Sequence, residues 1–380
     1  MPLSLTEDQI MLAQTASSFF AERSPLARLR KLRDEKDERG YSRQLFLEMA
    51  ELGWTAIPFS ERDGGLGMGL AGAILVTEAM GKNLAAEPYL PSILLAGGVL
   101  AIAGDDKQRS DWLSAAIAGD RVLALAYEEP GSRYNVTQVA TRAEAAGGGF
   151  RLTGTKLAVQ AGALADGYVV TARTSGSDSA REGVSLFYVP AGAGGLSVKR
   201  QYRIDSRNAA IVELKEVTVP AQALIGARDR GADALEQVID RATVALCGEM
   251  LGGMSEAFDR TIKYLKERKQ FNLPIGSFQA LKHRAAKLFI ELELARSATM
   301  LAARMLDEGS PEARSQVSVA KARCSDAYVL TANEAVQMHG GIGMTDEHDI
   351  GFFIKHARVC ELTFGDAAYH RDRYARLNGY

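Results

Sequence analysis

Arg268 and the glycines at 340, 341 and 343 are the residues whose chemistry is easiest to state. A guanidinium is planar, permanently charged and able to donate two parallel bonds, which suits a pyrophosphate. Arg268 stands between Glu267 and Lys269, so a surface ion pair with Glu267 or another neighbour is the alternative reading. Glycines directly after a helical pattern let a backbone approach a phosphate or sugar closely. The same turn can equally be no more than a helix C-cap. His339, beside these glycines, reads as packing or solvent-facing rather than catalytic. The five histidines show no metal-ligand spacing.

The chain has 380 residues, 47% of them hydrophobic and 24% charged, with a net charge of −2. That supports two or three domains or one large composite unit. There is no basic block for a nucleic-acid partner. The longest near-apolar run, 93–104, is too short to span a bilayer. Cys247, Cys324 and Cys360 are odd in number and widely spaced, which fits a reducing compartment and predicts a cytoplasmic protein without disulfides. The first residues predict an acidic helix, with Ser4 and Glu7 as its capping box, rather than a signal peptide.

Helical periodicity dominates the first 120 residues. The segment 25–41 reads as a solvated charged helix face. Apolar stripes then recur through Leu45, Met49 and Leu52 and near 68–82, 91–103 and 106–116. After Asp120 the period shortens. Val122–Ala126, Phe150–Leu152, Lys156–Val159, Tyr168–Ala172, Val184–Val189, Leu196–Val198 and Ile211–Leu214 are strand candidates separated by turn residues. Ala146-Gly-Gly-Gly reads as a hairpin tip and 175–181 as an exposed loop. No G-x-G-x-x-G joins a strand to a helix, so the region reads as an antiparallel barrel or sandwich, not a dinucleotide-binding unit. From Asp233, capped with Glu236, a helical pattern runs to about Phe271. Others lie near 278–307, 312–338 and 349–376, which predicts a bundle. Gly248, Gly252 and Gly253 would let helices approach closely. The expected organisation is an α+β multidomain chain: a helical N-terminal domain (1–120), a middle antiparallel β-barrel-like domain (121–230) and a C-terminal four-helix bundle (231–380).

Tyr264, Arg268, Gln270, Phe271, Pro274, Ile275, Phe278 and Gln279 match Y-x-x-x-R-x-Q-F-G-x-P-I-x-x-F-Q, with Asn272 in place of the glycine. In this the chain resembles the acyl-CoA dehydrogenase family, and the resemblance, with the order of helices, β-domain and bundle, covers essentially the whole chain. Gln337, Gly340 and Gly341 resemble the family's Q-x-x-G-G-x-G. The resemblance implies FAD as cofactor. Arg268 would lie on its pyrophosphate across a subunit interface and Phe271 beside its adenine, with Gln279, Gln337, Gly340 and Gly341 completing that end. It implies α,β-desaturation of an acyl-CoA substrate, with electrons passing to an electron-transferring flavoprotein, in a homo-oligomer or in a hetero-oligomer with a related chain.

The match weakens where the family holds the flavin ring. Its T-E-P-x-x-G-S-D corresponds to the stretch from Tyr127 through Glu128, Glu129 and Pro130 to Asn135, and the Gly-Ser-Asp end is missing. Its L-x-G-x-K-x-W-I corresponds to Leu152–Val159, with Ala158 where an indole covers the ring. The catalytic glutamate is also absent. Phe364 holds the usual position, and Ala242 holds the alternative one on the first bundle helix. Asp366, two residues beyond Phe364, is the candidate catalytic carboxylate, with Asp240 and Glu249 behind it. Solvated or capping roles compete for all three. The expectation is one subunit of a dehydrogenase whose base comes from a partner. A homotetramer using a displaced carboxylate, a non-catalytic structural or CoA-binding subunit, and a flavin-dependent oxygenase or nitroalkane-oxidase-like enzyme are the alternatives.

Overall fold

The computed structural model describes residues 5–380. Helix α1 (Glu7–Arg23) opens with a capping box two residues later than expected. Thr6 Oγ1 accepts from the Gln9 N–H and the Gln9 amide oxygen accepts from the Thr6 N–H. Ser4 lies outside the described residues. Next come α2 (Leu26–Asp34), whose charged sequence still buries Leu26 and Leu29, then α3 (Arg43–Glu51), capped by Ser42, and α4 (Gly69–Lys82). The pattern near 91–103 is a π-helical stretch, Tyr89–Gly97, followed by α5 (Gly98–Ala103). The pattern near 106–116 is α6 (Asp106–Gln108), a π-helical turn and α7 (Ser114–Ile117).

The strands are β1 (Leu123–Ala126), β2 (Arg142–Ala146), β3 (Gly149–Gln160), β4 (Gly167–Arg173), β5 (Val184–Pro190), β6 (Leu196–Tyr202), β7 (Asn208–Pro220) and β8 (Leu224–Ile225). Their order is β6-β7-β3-β2-β4-β5-β8, with β1 pairing parallel to β4 and most other pairs antiparallel. Every strand candidate overlaps a strand, Val122 alone lying one residue before β1, and two of them fuse in the long β3. Gly147 and Gly148, both at positive φ, close the β2–β3 hairpin, as a two-residue turn of that hand requires. Strands β4 and β5 are buried almost throughout and read as continuous apolar runs, whereas β6 is mostly exposed and carries Lys199 and Arg200 at the sheet edge.

The C-terminal part holds α8 (Gly231–Glu267), a short hairpin β9 (Lys269–Gln270) and β10 (Leu273–Pro274), α9 (Gln279–Asp307), α10 (Ala313–His339), α11 (Ile350–Leu362) and α12 (Ala367–Leu377). The helices differ from expectation at three points. Helix α8 starts at Gly231, and Asp233 and Glu236 bind Arg181 rather than forming a cap pair. It stops at Glu267, because the next residues turn back as the hairpin. The single helix expected over 349–376 is two, so the fourth bundle helix is broken at 363–366.

The chain divides into two compact units, one of Leu32–Gly69 with Ala86–Ala242 and one of Met1–Lys31, Leu70–Ala85 and Thr243–Tyr380. The core of the first is the sheet face around Leu152, Val170, Phe187 and Val212. In the second, α4 crosses α8 at glycines. A Cβ on Gly81 would meet the Glu249 carbonyl oxygen at 1.9 Å, and one on Gly252 would meet that of Glu78 at 1.9 Å. Gly248 likewise faces Ile74 and Thr77. Any side chain at these positions would force the helices apart.

Candidate cofactor and active site

Three chain segments meet at the end of α8. Leu265 of α8, Leu288 of α9 and Met338 of α10 form one buried cluster, with Ile262, Ile275 and Leu281 packed on it. Tyr264 stacks on His339, ring centroids 4.5 Å apart. His339 is buried, its Nδ1 is 2.7 Å from the Ala335 carbonyl oxygen, and burial pushes its pKa down. It is a packing residue that ties the two family-like signatures together.

Beyond this anchor the hairpin projects. Gln270 pairs with Leu273 and Lys269 with Pro274, leaving Phe271 and Asn272 as the two turn residues, at φ +52 and +63. Such a turn needs positive φ at both positions. Asparagine, where the family has glycine, is the next residue to tolerate it. Phe271 is a bulky residue held in that strained conformation and is 86% exposed. Arg268 is exposed too. Its backbone is fixed by bonds to Tyr264 and Ile275, 2.8 Å each, yet among the described residues its guanidinium has no ion-pair partner, Glu267 included. Gln279, at the start of α9, and Gln337, in the last turn of α10, are exposed. Gly340 has φ +65, which favours glycine, and a Cβ on it or on Gly341 would meet open space. The structure thus brings Arg268, Phe271, Gln279, Gln337, Gly340 and Gly341 to one end of the bundle.

The corner between α11 and α12 is held by residues far away in sequence. Lys321 of α10 is fully buried, and its ammonium donates to the carbonyls of Glu361 (3.0 Å) and Gly365 (2.8 Å) and to Ser325 Oγ (3.1 Å). A cation on the last carbonyls of α11 satisfies that helix end and its dipole. His370 of α12 places Nε2 3.1 Å from the Phe364 carbonyl oxygen. Burial, with Lys321 and Arg373 nearby, pushes its pKa down to about 3, so the ring is neutral and Nε2–H is the donor. Phe364 sits at φ +61 and is buried, and Gly365 sits at φ +115, where a Cβ would overlap the Tyr369 ring.

Asp366 Oδ1 accepts from the Tyr369 N–H at 2.8 Å and caps α12. Glu249 is buried, with Oε1 3.0 Å from His356 Nε2, whose Nδ1 is 3.0 Å from the Tyr328 hydroxyl. Asp240 and Ala242 are buried on α8. Neither the His370 clamp nor the Lys321 clamp was evident from sequence. The one available signal was a lysine in the apolar stripe of α10.

In the β-rich unit, Lys156 and Glu129 form a buried ion pair, and Lys156 also reaches Thr171 Oγ1 at 2.7 Å. The Glu129 carboxylate accepts from the Ala140 and Thr141 N–H groups. Burial lowers Lys156 to about 8 against the pull of Glu129. Burial alone would raise Glu129, but Lys156 and its other donors hold it below the ordinary carboxyl range. This pair locks the segment after Tyr127 onto β3. There the strand bulges, and Ala158, at φ +49, is exposed. Its N–H donates to the Gln201 amide oxygen at 3.1 Å, and the Leu157 N–H donates to the Glu128 carbonyl at 2.8 Å.

Among the described residues there is no cluster of metal ligands, and no helix is long and apolar enough to cross a membrane. Models of the acyl-CoA dehydrogenase N-terminal, middle and C-terminal domains match residues 6–120, 124–217 and 229–377. The chain is 28% identical over 383 residues to the probable acyl-CoA dehydrogenase YngJ of Bacillus subtilis, covering 99% of each. It is 30% identical over 349 residues to acyl-CoA dehydrogenase FadE27 of Mycobacterium tuberculosis, covering 90% of each. Among solved structures it is similar to a chain of the ChsE4–ChsE5 complex from Mycobacterium tuberculosis, with a TM-score of 0.89 and 28% identity over 100% of this chain and 99% of that one. The helical N-terminal part, the β-rich middle, the helical C-terminal part and these matches together make the chain a member of the acyl-CoA dehydrogenase family, whose cofactor is FAD.

Proposed function

We propose that this chain is one subunit of an acyl-CoA dehydrogenase in which a related partner chain supplies the proton-abstracting carboxylate. The observation that carries this is Phe364. It is buried at the family's base position, and the nearest carboxylate in sequence, Asp366, is engaged as a helix cap. Ala242, at the alternative position, has no acid–base chemistry. Likeness to a chain of a two-component complex supports the same reading.

The residues present fit FAD. The unpaired Arg268 offers a guanidinium for a pyrophosphate. Phe271 offers an aromatic face for adenine, and the open turn at Gly340 and Gly341 offers backbone without side-chain obstruction. All three face outward, so they reach the cofactor of a neighbouring chain, with Gln279 and Gln337 at the same end. The ring end would lie against the segment at Tyr127 and Ala158, where no indole is present to cover its face.

The reaction removes a proton from the α carbon of an acyl-CoA thioester and a hydride from the β carbon, leaving a double bond. Bound FAD supplies the hydride acceptor, and an electron-transferring flavoprotein takes the electrons onward. This chain's residues bind and orient. Arg268 would neutralise the pyrophosphate, the Glu129–Lys156 pair fixes the segment after Tyr127 onto β3, and Phe364 offers an apolar ring with no proton acceptor. A base aimed at the α carbon contributes about 10²–10⁴-fold, so without one the chain alone turns over poorly. The test is to assay the flavin-loaded chain alone, and mixed with a related glutamate-bearing chain, against a graded acyl-CoA series with a ferrocenium-type acceptor. Activity only in the mixture is expected. Robust desaturation by the chain alone refutes the partner-supplied base.

A further inference from the structure

Glu128 is a carboxylate to which the reading above gives no task. It follows Tyr127 at the end of β1, in the segment that Glu129 and Lys156 lock in place, and its backbone carbonyl is bonded to the residue before Ala158. Its side chain is half-buried. Oε1 accepts from the Tyr127 hydroxyl at 2.9 Å, and that is the one hydrogen bond its carboxyl makes among the described residues. Burial raises its pKa, with the Tyr127 bond and the charge of Arg203 acting against the rise. Arg203 itself is paired with Asp205 at 3.0 Å. A half-buried carboxylate with a free oxygen and no cation bonded to it is costly unless a donor reaches it.

The isoalloxazine of oxidised FAD carries one ring N–H donor, its imide N–H. Its other ring heteroatoms at that edge are acceptors, which a carboxylate would repel. We infer that Glu128 binds the imide N–H of the flavin with its free carboxylate oxygen, and that its charge, set beside the ring, disfavours reduction of the bound cofactor. This rests on the reading that the ring end of FAD lies against the segment at Tyr127 and Ala158. Where the family has a neutral threonine hydroxyl, this chain sets an anion. Electron addition to a ring with a fixed negative neighbour is electrostatically opposed, and more so in a partly water-excluded site.

Two measurements on the FAD-loaded protein test this, and neither depends on turnover. Potentiometric titration at pH 8 should place Glu128→Gln at least tenfold further toward the reduced form than wild type, which for a two-electron couple is about 30 mV. Glutamine keeps the shape and removes the charge. In binding titrations, wild type should prefer FAD over FAD methylated at the imide nitrogen by at least tenfold, and Glu128→Ala should lose that preference. An unchanged potential, or a preference that survives in Glu128→Ala, overturns the inference. If FAD binds and Arg268→Ala weakens it while both Glu128 variants behave as wild type, only this inference fails. A protein that takes up no FAD overturns it together with the reading on which it rests.

Discussion

Phe364→Glu is the sharpest perturbation of the proposed function. The corner that holds residue 364 depends on backbone carbonyls, with His370 on that of Phe364 and Lys321 on those of Glu361 and Gly365. Changing the side chain therefore leaves the clamp in place. The backbone is already at φ +61, where a bulky aromatic is strained, and glutamate adds no new conformational demand. Losing a buried ring costs about 3–5 kcal/mol of stability, and burying a carboxylate in its place adds to that cost, so folding and FAD content are checked before activity is read. A carboxylate aimed from this position should raise the rate of α-proton abstraction by about 10²–10⁴-fold. The assay is anaerobic loss of flavin absorbance when the FAD-loaded variant alone meets acyl-CoA thioesters of graded length. Phe364→Gln, of the same shape but unable to take the proton, should stay at the wild-type level. A folded, FAD-bearing Phe364→Glu chain with no gain on any thioester would show that 364 is not the base position and that the argument from the corner is wrong.

Three further outcomes follow from the geometry. Arg268→Ala should weaken FAD binding by about 1.5–3 kcal/mol, or roughly 10- to 150-fold in Kd, because it removes a charge-assisted pair of bonds; equal affinity in a flavin titration would exclude Arg268 from the cofactor. Lys321→Met should lower unfolding free energy by about 2–4 kcal/mol, since two carbonyls are left buried without donors while removal of a buried charge offsets part of the loss; denaturant unfolding at an unchanged midpoint would contradict that account. His370 has a folded pKa of about 3, below its ordinary 6.5, so its contribution is intact above pH 6.5 and is lost as pH falls toward 3. The slope is up to about 1.4 kcal/mol per pH unit. Unfolding measured across that window should flatten in His370→Asn, and an equal slope in the two proteins would remove His370 from the pH response.

The parts of this architecture that were legible in sequence are those fixed by local pattern. Short apolar runs between turn residues marked six of the eight strands, and the glycine run after Ala146 marked the β2–β3 hairpin. Strand β2 was missed because Arg142-Ala-Glu-Ala-Ala has little strand preference and is held by its pairing with β3. The break after α11 was missed for a different reason. Residues 349–376 keep helical periodicity, and what interrupts them is a lysine some forty positions earlier that reaches the carbonyls of the corner. The end of α8 was missed because Phe271 is a poor candidate for a turn residue, and only the paired strands reveal its positive φ. The site residues near Arg268 were legible as a motif. Their exposure and the absence of an ion partner for Arg268 are tertiary facts. Glu128 carried no role in the sequence, and its half-burial and single carboxyl hydrogen bond give it chemical meaning.

The glycine crossing of α4 and α8 bears on how the chain is made. Helix α4 buries nearly every residue between Leu70 and Gly81, much of it against a helix face that includes Gly248 and Gly252. That face leaves the ribosome roughly 160 residues later, which at about 5–20 residues per second is a wait of roughly 8–30 s. During synthesis α4 is an apolar segment without its partner, while the sheet, whose strands all precede α8, can already pair. The compact unit containing α4 is therefore the last to close, and α4 keeps its apolar surface open to other partners until α8 emerges.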